Sequence, residues 1–394
     1  MRPFMTSLRS SDEKVPIWRD DRFIRLAFQV VVLVVVLVTI SILLGNMNRN
    51  LQQLGRQFNF GFLKNQAGFN IGESILPYQT NDTYGWALVV GFVNTLRLIV
   101  VGFLTATAVG VVAGIASFSD NWLVHKINLL YVEIVRNTPL LLQLFVWYFV
   151  ILFGLSQGAE VTRLLGLAFV SKKGLMIPWP ANTPGAWIAT AALVLLAIAA
   201  YFIWRWRVRV MEEAGVSGRP QLLALLATGA IALLIFCFGL GWSFPKLANG
   251  NDVVGGLRIS IEYAAMLGGL TFYTGAFIAE IVRAGIQSVS RGQWEAARSL
   301  GLKSGLAMRL VVFPQALRVM IPSLSSQYMN LAKNSSLALA IGYPDIFATG
   351  QTTQNQTGRA VEVVLLWTVT YLAVNLIISL VMNQFNRAVK IQER

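Results

Sequence analysis

The chain has 394 residues, 55% of them apolar and 13% charged, with a net charge of +14 and a mean hydropathy of +0.61. A soluble domain carries about 25% charged residues, so a water-soluble globule is excluded. Disorder is excluded by the apolar content and collagen by 33 glycines without a three-residue period.

The basic excess points to loops facing an anionic membrane leaflet rather than to nucleic acid. One cysteine rules out an internal disulfide framework, and one histidine makes no metal site or proton relay by itself. A spanning helix needs about 20 mostly apolar residues, and eight stretches qualify. Residues 1–84 hold a tail, the first span Ile24–Leu44 and an external segment. The length of that span, and the lack of a small-x-small cleavage site after it, mark a retained anchor rather than a signal peptide. Residues 45–85, rich in Asn, Gln and Gly, predict a short solvated extension with an interfacial helix. Residues 85–157 carry the spans Thr95–Ser117 and Leu140–Leu155. Arg97 reads as an interfacial anchor, and Arg136 to Pro139 as the start of a span, with proline suited to a first helical turn. Residues 158–255 hold Trp187–Trp204 and Gln221–Gly241, flanked by Pro-, Trp- and Gly-containing stretches, 158–186 and 242–258, that predict loops at the membrane surface. Cys237 reads as a small buried hydrophobe.

Residues 256–386 carry Ile259–Val282, Val311–Ile341 and Glu362–Phe385, and 387–394 form a tail. The seventh span holds Pro314, Pro322, Lys333 and Asn334 and is expected to be broken or partly outside the hydrocarbon. An even number of spans places both termini on one side. That side holds twenty-one Lys and Arg, counting Arg25 and Arg318 at the ends of spans, and the other side nine, so both termini are predicted to be cytoplasmic. The tetrapeptide Glu-Ile-Val-Arg recurs at Glu133–Arg136 and Glu280–Arg283. Its i, i+3 spacing predicts a staple along one helix in each copy.

Catalytic equipment is sparse. There is no phosphate-binding G-x-x-x-x-G-K-[ST] loop, no G-x-S-x-G elbow, no H-E-x-x-H and no C-x-x-C. Neither catalytic nor metal-ligating residues are predicted. An ion-coupled carrier keeps carboxylates or histidines in its bundle. Here the intramembrane candidates are Arg97, Lys333 and Glu362. If the chain moves something, its energy comes from elsewhere.

The most informative stretch is Gln287 to Pro314, the longest cytoplasmic segment between spans, within the loop 283–314. Ser290 with Gln293 fits a capping box, Trp294–Leu300 continues as helix, and Gly301 suits a left-handed C-cap. A second short helix is predicted from Ser304 toward Pro314. The result is a helix–Gly–helix elbow with two alanines expected on its surface, shaped for docking of another protein or for simple solvation.

The run Glu295-Ala296-Ala297, three residues, Gly301, nine residues, then Val311-Val312-Phe313-Pro314 resembles the EAA signature of bacterial ABC importer permeases, E-A-A-x3-G-x9-I-x-L-P. Val311 stands for Ile and Phe313 for Leu. Tyr131–Gln143 (YVEIVRNTPLLLQ) and Asn330–Leu337 (NLAKNSSL), with Ile341-Gly342 following, are similar to segments of the polar amino acid (histidine/glutamate/glutamine/arginine) permeases. The resemblance covers about residues 85–157 and 256–386. It implies an all-α polytopic membrane protein with a type I ABC importer permease core, here with an extra N-terminal helix and an inserted two-helix hairpin at 158–255. Such an enlarged chain resembles permeases of general L-amino acid or glutamate/glutamine/aspartate/asparagine importers.

The resemblance further implies an inner-membrane subunit without catalysis of its own. Glu295, Ala296, Ala297, Gly301 and Pro314 would couple it to an ABC ATPase that holds ATP and Mg. A second permease would complete a heterodimeric path, and a periplasmic binding protein would deliver L-amino acids; membrane lipid surrounds the chain. Lys333, Asn334 and Ser335 mark a polar break in an apolar helix. Two roles fit it: facing the translocation path, since intramembrane charge is costly and often functional, or pairing with a neighbouring helix or snorkelling. A self-contained secondary transporter or channel is the competing class; it needs a coupling-ion site or a selectivity lining.

Overall fold

The computed structural model of the protein describes residues 21–389, apart from 54, 56, 158–160, 165, 172, 173, 214–217 and 249–252. The basic N-terminal tail to residue 20, the last five residues and the turn at 214–217 thus lie outside the described residues. The chain forms two units, Met1–Phe62 and Leu63–Arg394.

The first unit is built on α1, Asp21–Gln53. Its apolar side chains from Phe23 to Leu44 are exposed around the whole circumference. A helix apolar on every side finds its complement in lipid. The helix runs nine residues past the expected end of the span.

The second unit opens on the end of a 3-10 turn, Gly61–Lys64, which a non-helical cap follows. Ala67 and Gly68 N–H donate to the Asp82 and Thr80 carbonyls at 2.8 and 2.9 Å, and Tyr84 N–H to that of Asn65 at 3.0 Å. Ala67, Ile71, Tyr84, Ala87 and Val90 form its own small core. Residues 65–84 are therefore a folded plug rather than a solvated extension. Helix α2, Tyr84–Ala116, starts eleven residues before the expected span, because Thr83 Oγ1 accepts the Trp86 N–H at 3.2 Å.

Helix α3, Trp122–Asn137, and α4, Leu140–Phe145, which continues as a π-helical turn to Phe153, meet at an angle of 111°. The short α5, Gly154–Gln157, extends the second limb. Leu140 to Gln157 rises about 27 Å at 1.5 Å per residue, close to the hydrocarbon thickness. Pro139 sits at the N-cap of α4 and is followed at once by helix, where its missing N–H costs nothing.

The stretches expected as surface loops are largely strands. β1 (Val161–Leu164), β2 (Ala168–Ser171) and β3 (Gly174–Ile177) form an antiparallel sheet. β4 (Trp179–Pro180) leads into α6, Pro184–Glu213, and α7, Arg219–Leu234, which ends in a π turn to Gly239. The chain returns through β5 (Trp242–Ser243), which pairs with β4, then β6 (Lys246–Leu247) and β7 (Val253–Val254), which pair together. β8 (Leu257–Ile259) completes the four-stranded sheet beside β3, with Leu175 opposite Ile259. Strands of two to four residues punctuated by glycine carry too little alternation to stand out in sequence. Cys237 is exposed, not buried, because α6 and α7 pack mainly on each other and leave the face of the π turn open.

Helix α8, Ile261–Gln287, is capped by Ser260, whose Oγ accepts the Tyr263 N–H at 3.0 Å. It crosses α2 at close range. A Cβ placed on Gly110 would lie 2.5 Å from Ile278 Cβ, and one on Gly114 2.6 Å from Val282 Cβ. Small residues recur at Gly102, Ala106, Gly110 and Gly114, the four-residue spacing that lets membrane helices approach. Thr105 and Thr271 hydroxyls bridge the same pair at 2.6 Å.

The chain then forms α9 (Arg291–Ser299) and α10 (Ser304–Ala307), a π turn Met308–Val312, and α11 (Phe313–Asn334). A 3-10 segment Ser335–Ile341 follows and ends at left-handed Gly342. The seventh span is thus a single rod whose helix type changes at Ser335. Pro314 follows directly on the π turn, where the change of helical bonding accommodates the donor that proline lacks. Helix α12, Ile346–Thr357, and α13, Ala360–Val389, complete the unit. Seven described helices are long and apolar enough to span, and the bent α3–α4 pair makes an eighth.

Candidate functional site

The elbow is fixed at its glycine. Gly301 has φ +74°; its N–H donates to the Arg298 carbonyl at 2.9 Å, and Leu302 N–H to that of Ala297 at 3.1 Å. These are the two bonds of a Schellman cap. Ser290 occupies the expected N-cap but its side chain makes no capping bond. The expected box is replaced by a tie to the rod: Gln315 Nε2 donates to Gln293 Oε1 at 3.0 Å. Trp294 packs on the main core, and Ala297 is 2% exposed. Of the two alanines expected on the surface, only Ala296 is there, beside outward Glu295. Pro314 lies on α11, one residue before the Gln315 that is tied to α9. Leu300, 79% exposed at the tip, is an outward apolar side chain that the motif did not mark; its signal is a large apolar side chain just before a capping glycine.

The polar break does not gather its three residues into one site. Ser335 is buried and its Oγ donates to the Ala332 carbonyl at 2.7 Å. Asn334 is half-buried and Lys333 exposed. Lys333 borders a cavity of about 290 Å³ with Phe347, Trp367 and Tyr371, and no carboxylate pairs with it among the described residues. Beyond the break, Asp345 caps α12, accepting the Ala348 N–H at 2.7 Å and the Tyr371 hydroxyl at 3.3 Å. Burial pushes its carboxyl up to about 7, against the pull of these bonds. Thr95 Oγ1 accepts the Ile346 N–H at 3.0 Å, and Asn94 Nδ2 donates to the Pro344 carbonyl at 2.9 Å. The segment after the break is thereby locked to α2.

Arg97 is more than an interfacial anchor. It pairs with Glu73 and stacks 4.0 Å from the Tyr263 ring centroid, while Glu73 Oε2 accepts the Ser260 N–H at 3.1 Å. This cluster borders a cavity of about 560 Å³ whose walls come from the plug, β3, β8 and α12. Nothing in the Asn- and Gly-rich sequence around Glu73 marks it as a partner. Glu362 is buried and paired with Arg359 at 3.2 Å in the first turn of α13.

At the elbow end, the two Glu-Ile-Val-Arg copies face one cavity of about 570 Å³. The expected i, i+3 staple forms in the second copy, where Arg283 Nε donates to Glu280 Oε2 at 3.0 Å. In the first copy Arg136 instead crosses to Glu280 at 3.7 Å and lies 5.5 Å from the Phe277 ring. Gln143 Nε2 donates to the Val135 and Thr138 carbonyls at 2.8 and 2.9 Å, closing the end of α3 at the bend. His125 Nδ1 meets the Ser117 carbonyl at 3.0 Å, a local tie. Among the described residues no group of three His, Cys, Asp or Glu is placed to hold a metal ion.

Residues 223–391 match the family described as binding-protein-dependent transport system inner membrane component. The chain is 42% identical to the putative amino-acid ABC transporter permease protein YhdX of Escherichia coli, over 93% of this chain and 94% of that protein. It is 39% identical to the general L-amino acid transport system permease protein AapQ of Rhizobium johnstonii, over 95% and 94%. It is 38% identical to the glutamate/glutamine/aspartate/asparagine transport system permease protein BztB of Rhodobacter capsulatus, over 95% and 96%.

Proposed function

As this chain belongs to the amino-acid ABC importer permeases, we propose that it forms a translocation path with a second, different permease and takes its drive from a separate ATPase seated on the elbow. ATP and Mg reside on that partner, and no catalytic residue is assigned to this chain. A periplasmic binding protein delivers L-amino acids to the end bearing the sheet, and both termini lie in the cytoplasm with the elbow. The basic bias of the loops on that side supports the orientation. The full-length likeness to permeases of ABC systems weighs against a self-contained carrier or channel.

The observation that carries the reading is the elbow itself. Its Schellman cap, the buried Ala297 and the half-buried Trp294 hold α9 rigid, while Glu295, Ala296 and Leu300 are left outward. A small side chain flanked by a carboxylate and an exposed leucine suits insertion into a groove on a partner. Lys333 is the residue we assign to the path, meeting a substrate carboxylate, with Asn334 beside it; the buried Ser335 supports their turn.

The test is purification of the tagged full chain from its native membrane, with labelled L-amino acid uptake in a deletion strain. An ATPase and a second permease should co-purify, and uptake should require both the gene and ATP. Uptake that continues without ATP, or without a bound ATPase, rules the reading out.

A further inference from the structure

The hairpin α6–α7 carries cations that transport leaves unused. Its helices expose Trp187, Leu195, Phe202, Leu223 and Phe238, a surface that only lipid covers well in a membrane protein. Toward its turn α6 reads Trp204-Arg205-Trp206-Arg207-Val208-Arg209, and Arg219 opens α7; Glu212 and Glu213 are the carboxylates in the sequence between.

One indole organises this cluster. The Arg207 guanidinium lies 5.7 Å from the Trp204 ring centroid, and that of Arg309, from the π turn after the elbow, 5.9 Å. Arg205 lies 5.9 Å from the Tyr201 ring. Arg207 Nε donates to the Gly218 carbonyl at 3.3 Å, which fixes the side chain and leaves its terminal nitrogens to another acceptor. Among the described residues no carboxylate pairs with Arg205, Arg207 or Arg309. Like charges collected on one ring repel, and an anion between them relieves that repulsion. A guanidinium matches phosphate in bidentate fashion, and tryptophan favours the headgroup level of a bilayer. Leu306 and Leu310 are exposed in the same segment as Arg309, so acyl chains find apolar surface where a free phosphate would find none to use.

We propose that Arg207 and Arg309, gathered about Trp204, seat the headgroup of an anionic phospholipid that tethers the inserted hairpin to the segment behind the elbow. The site stands apart from the transport reading, and its test needs no transport. Full-length chain in mild detergent is mixed with phosphatidylglycerol, phosphatidylcholine or inorganic phosphate, and bound lipid is counted by native mass spectrometry. The wild type should retain severalfold more phosphatidylglycerol than phosphatidylcholine, with inorganic phosphate unable to displace it. R207Q/R309Q should fall to the phosphatidylcholine level. Arg207 also holds the hairpin turn, so R309Q alone, which breaks no described hydrogen bond, is the second variant and should lose retention severalfold. Wild-type indifference between the two lipids, displacement by inorganic phosphate, or undiminished retention by R309Q each overturns the proposal.

Discussion

Gly301→Val isolates the conformation of the elbow from its packing. A Cβ at this position meets no atom within 4 Å, so the substitution creates no clash with its surroundings. Its cost is the backbone's own: φ is +74°, where an L-residue pays about 1–2 kcal/mol, most for a β-branched side chain. Every 1.4 kcal/mol is tenfold in an equilibrium. The capped elbow should lose about a factor of ten against relaxed alternatives, and apparent affinity for the docked ATPase should fall by up to that factor. Such a loss is too local to remove the spans, so membrane levels should stay normal while ATPase co-purification and ATP-driven uptake drop. Gly301→Asn is the matched control, because asparagine tolerates the left-handed region; it should behave close to wild type. A valine variant that docks and transports normally, or an asparagine variant as damaged as the valine one, would refute the reasoning.

Other perturbations separate the remaining parts. Gly110→Val drives a branched side chain into Ile278 and the Gly275 carbonyl; overpacking costs about 1–3 kcal/mol, so folded protein recovered from the membrane should fall, and unchanged recovery would mean that α2 and α8 do not cross this closely. Lys333→Met should lower uptake at normal expression; normal uptake leaves snorkelling as the account of that charge. Burial raises the Asp345 carboxyl from its ordinary 3.8 to about 7, so its contribution to stability is full below about pH 4 and is lost as pH rises through 7. Asp345→Asn should flatten that slope in thermal inactivation measured from pH 4 to 8, and a slope kept by the variant assigns it to another group. Single cysteines at Val216 or Ser217, with Cys237 replaced, should react with an impermeant reagent only from the side bearing the elbow; labelling only from the other face contradicts an eight-span topology.

Hydropathy made the spans legible because apolar length is a strong one-dimensional signal. Their ends were less so: Thr83 and Ser260 extend or sharpen helices through single hydroxyls. The Trp122–Asn137 limb went unseen because a helix bent by 111° has no continuous apolar run. The elbow's glycine was readable, since a left-handed cap demands that residue. The burial of Ala297 was not, because two adjacent alanines are identical in sequence and differ only in which side of a helix they occupy. The Glu73–Arg97 pair joins residues from a plug and a span, and no local pattern announces such a partner. The four-residue repeat of small residues in α2 was present in the sequence and is the signal that could have placed the closest helix crossing in advance.

The rod from Ser304 to Asn334 has a mechanical consequence. At 1.5 Å per residue it is about 46 Å long, and no loop interrupts it between the elbow and the change of helix type at Ser335. A helix hardly stretches, so a push at its foot is absorbed along its length only where it can bend, at the π turn Met308–Val312 and at Pro322. Gln315, bonded to Gln293, makes the foot turn with the elbow. At the far end the chain is pinned to α2 through Asn94 and Thr95. Displacement imposed at the foot and not taken up at those two bends would surface as torsion in the seven residues Ser335–Ile341, between the shaft and a fixed bearing.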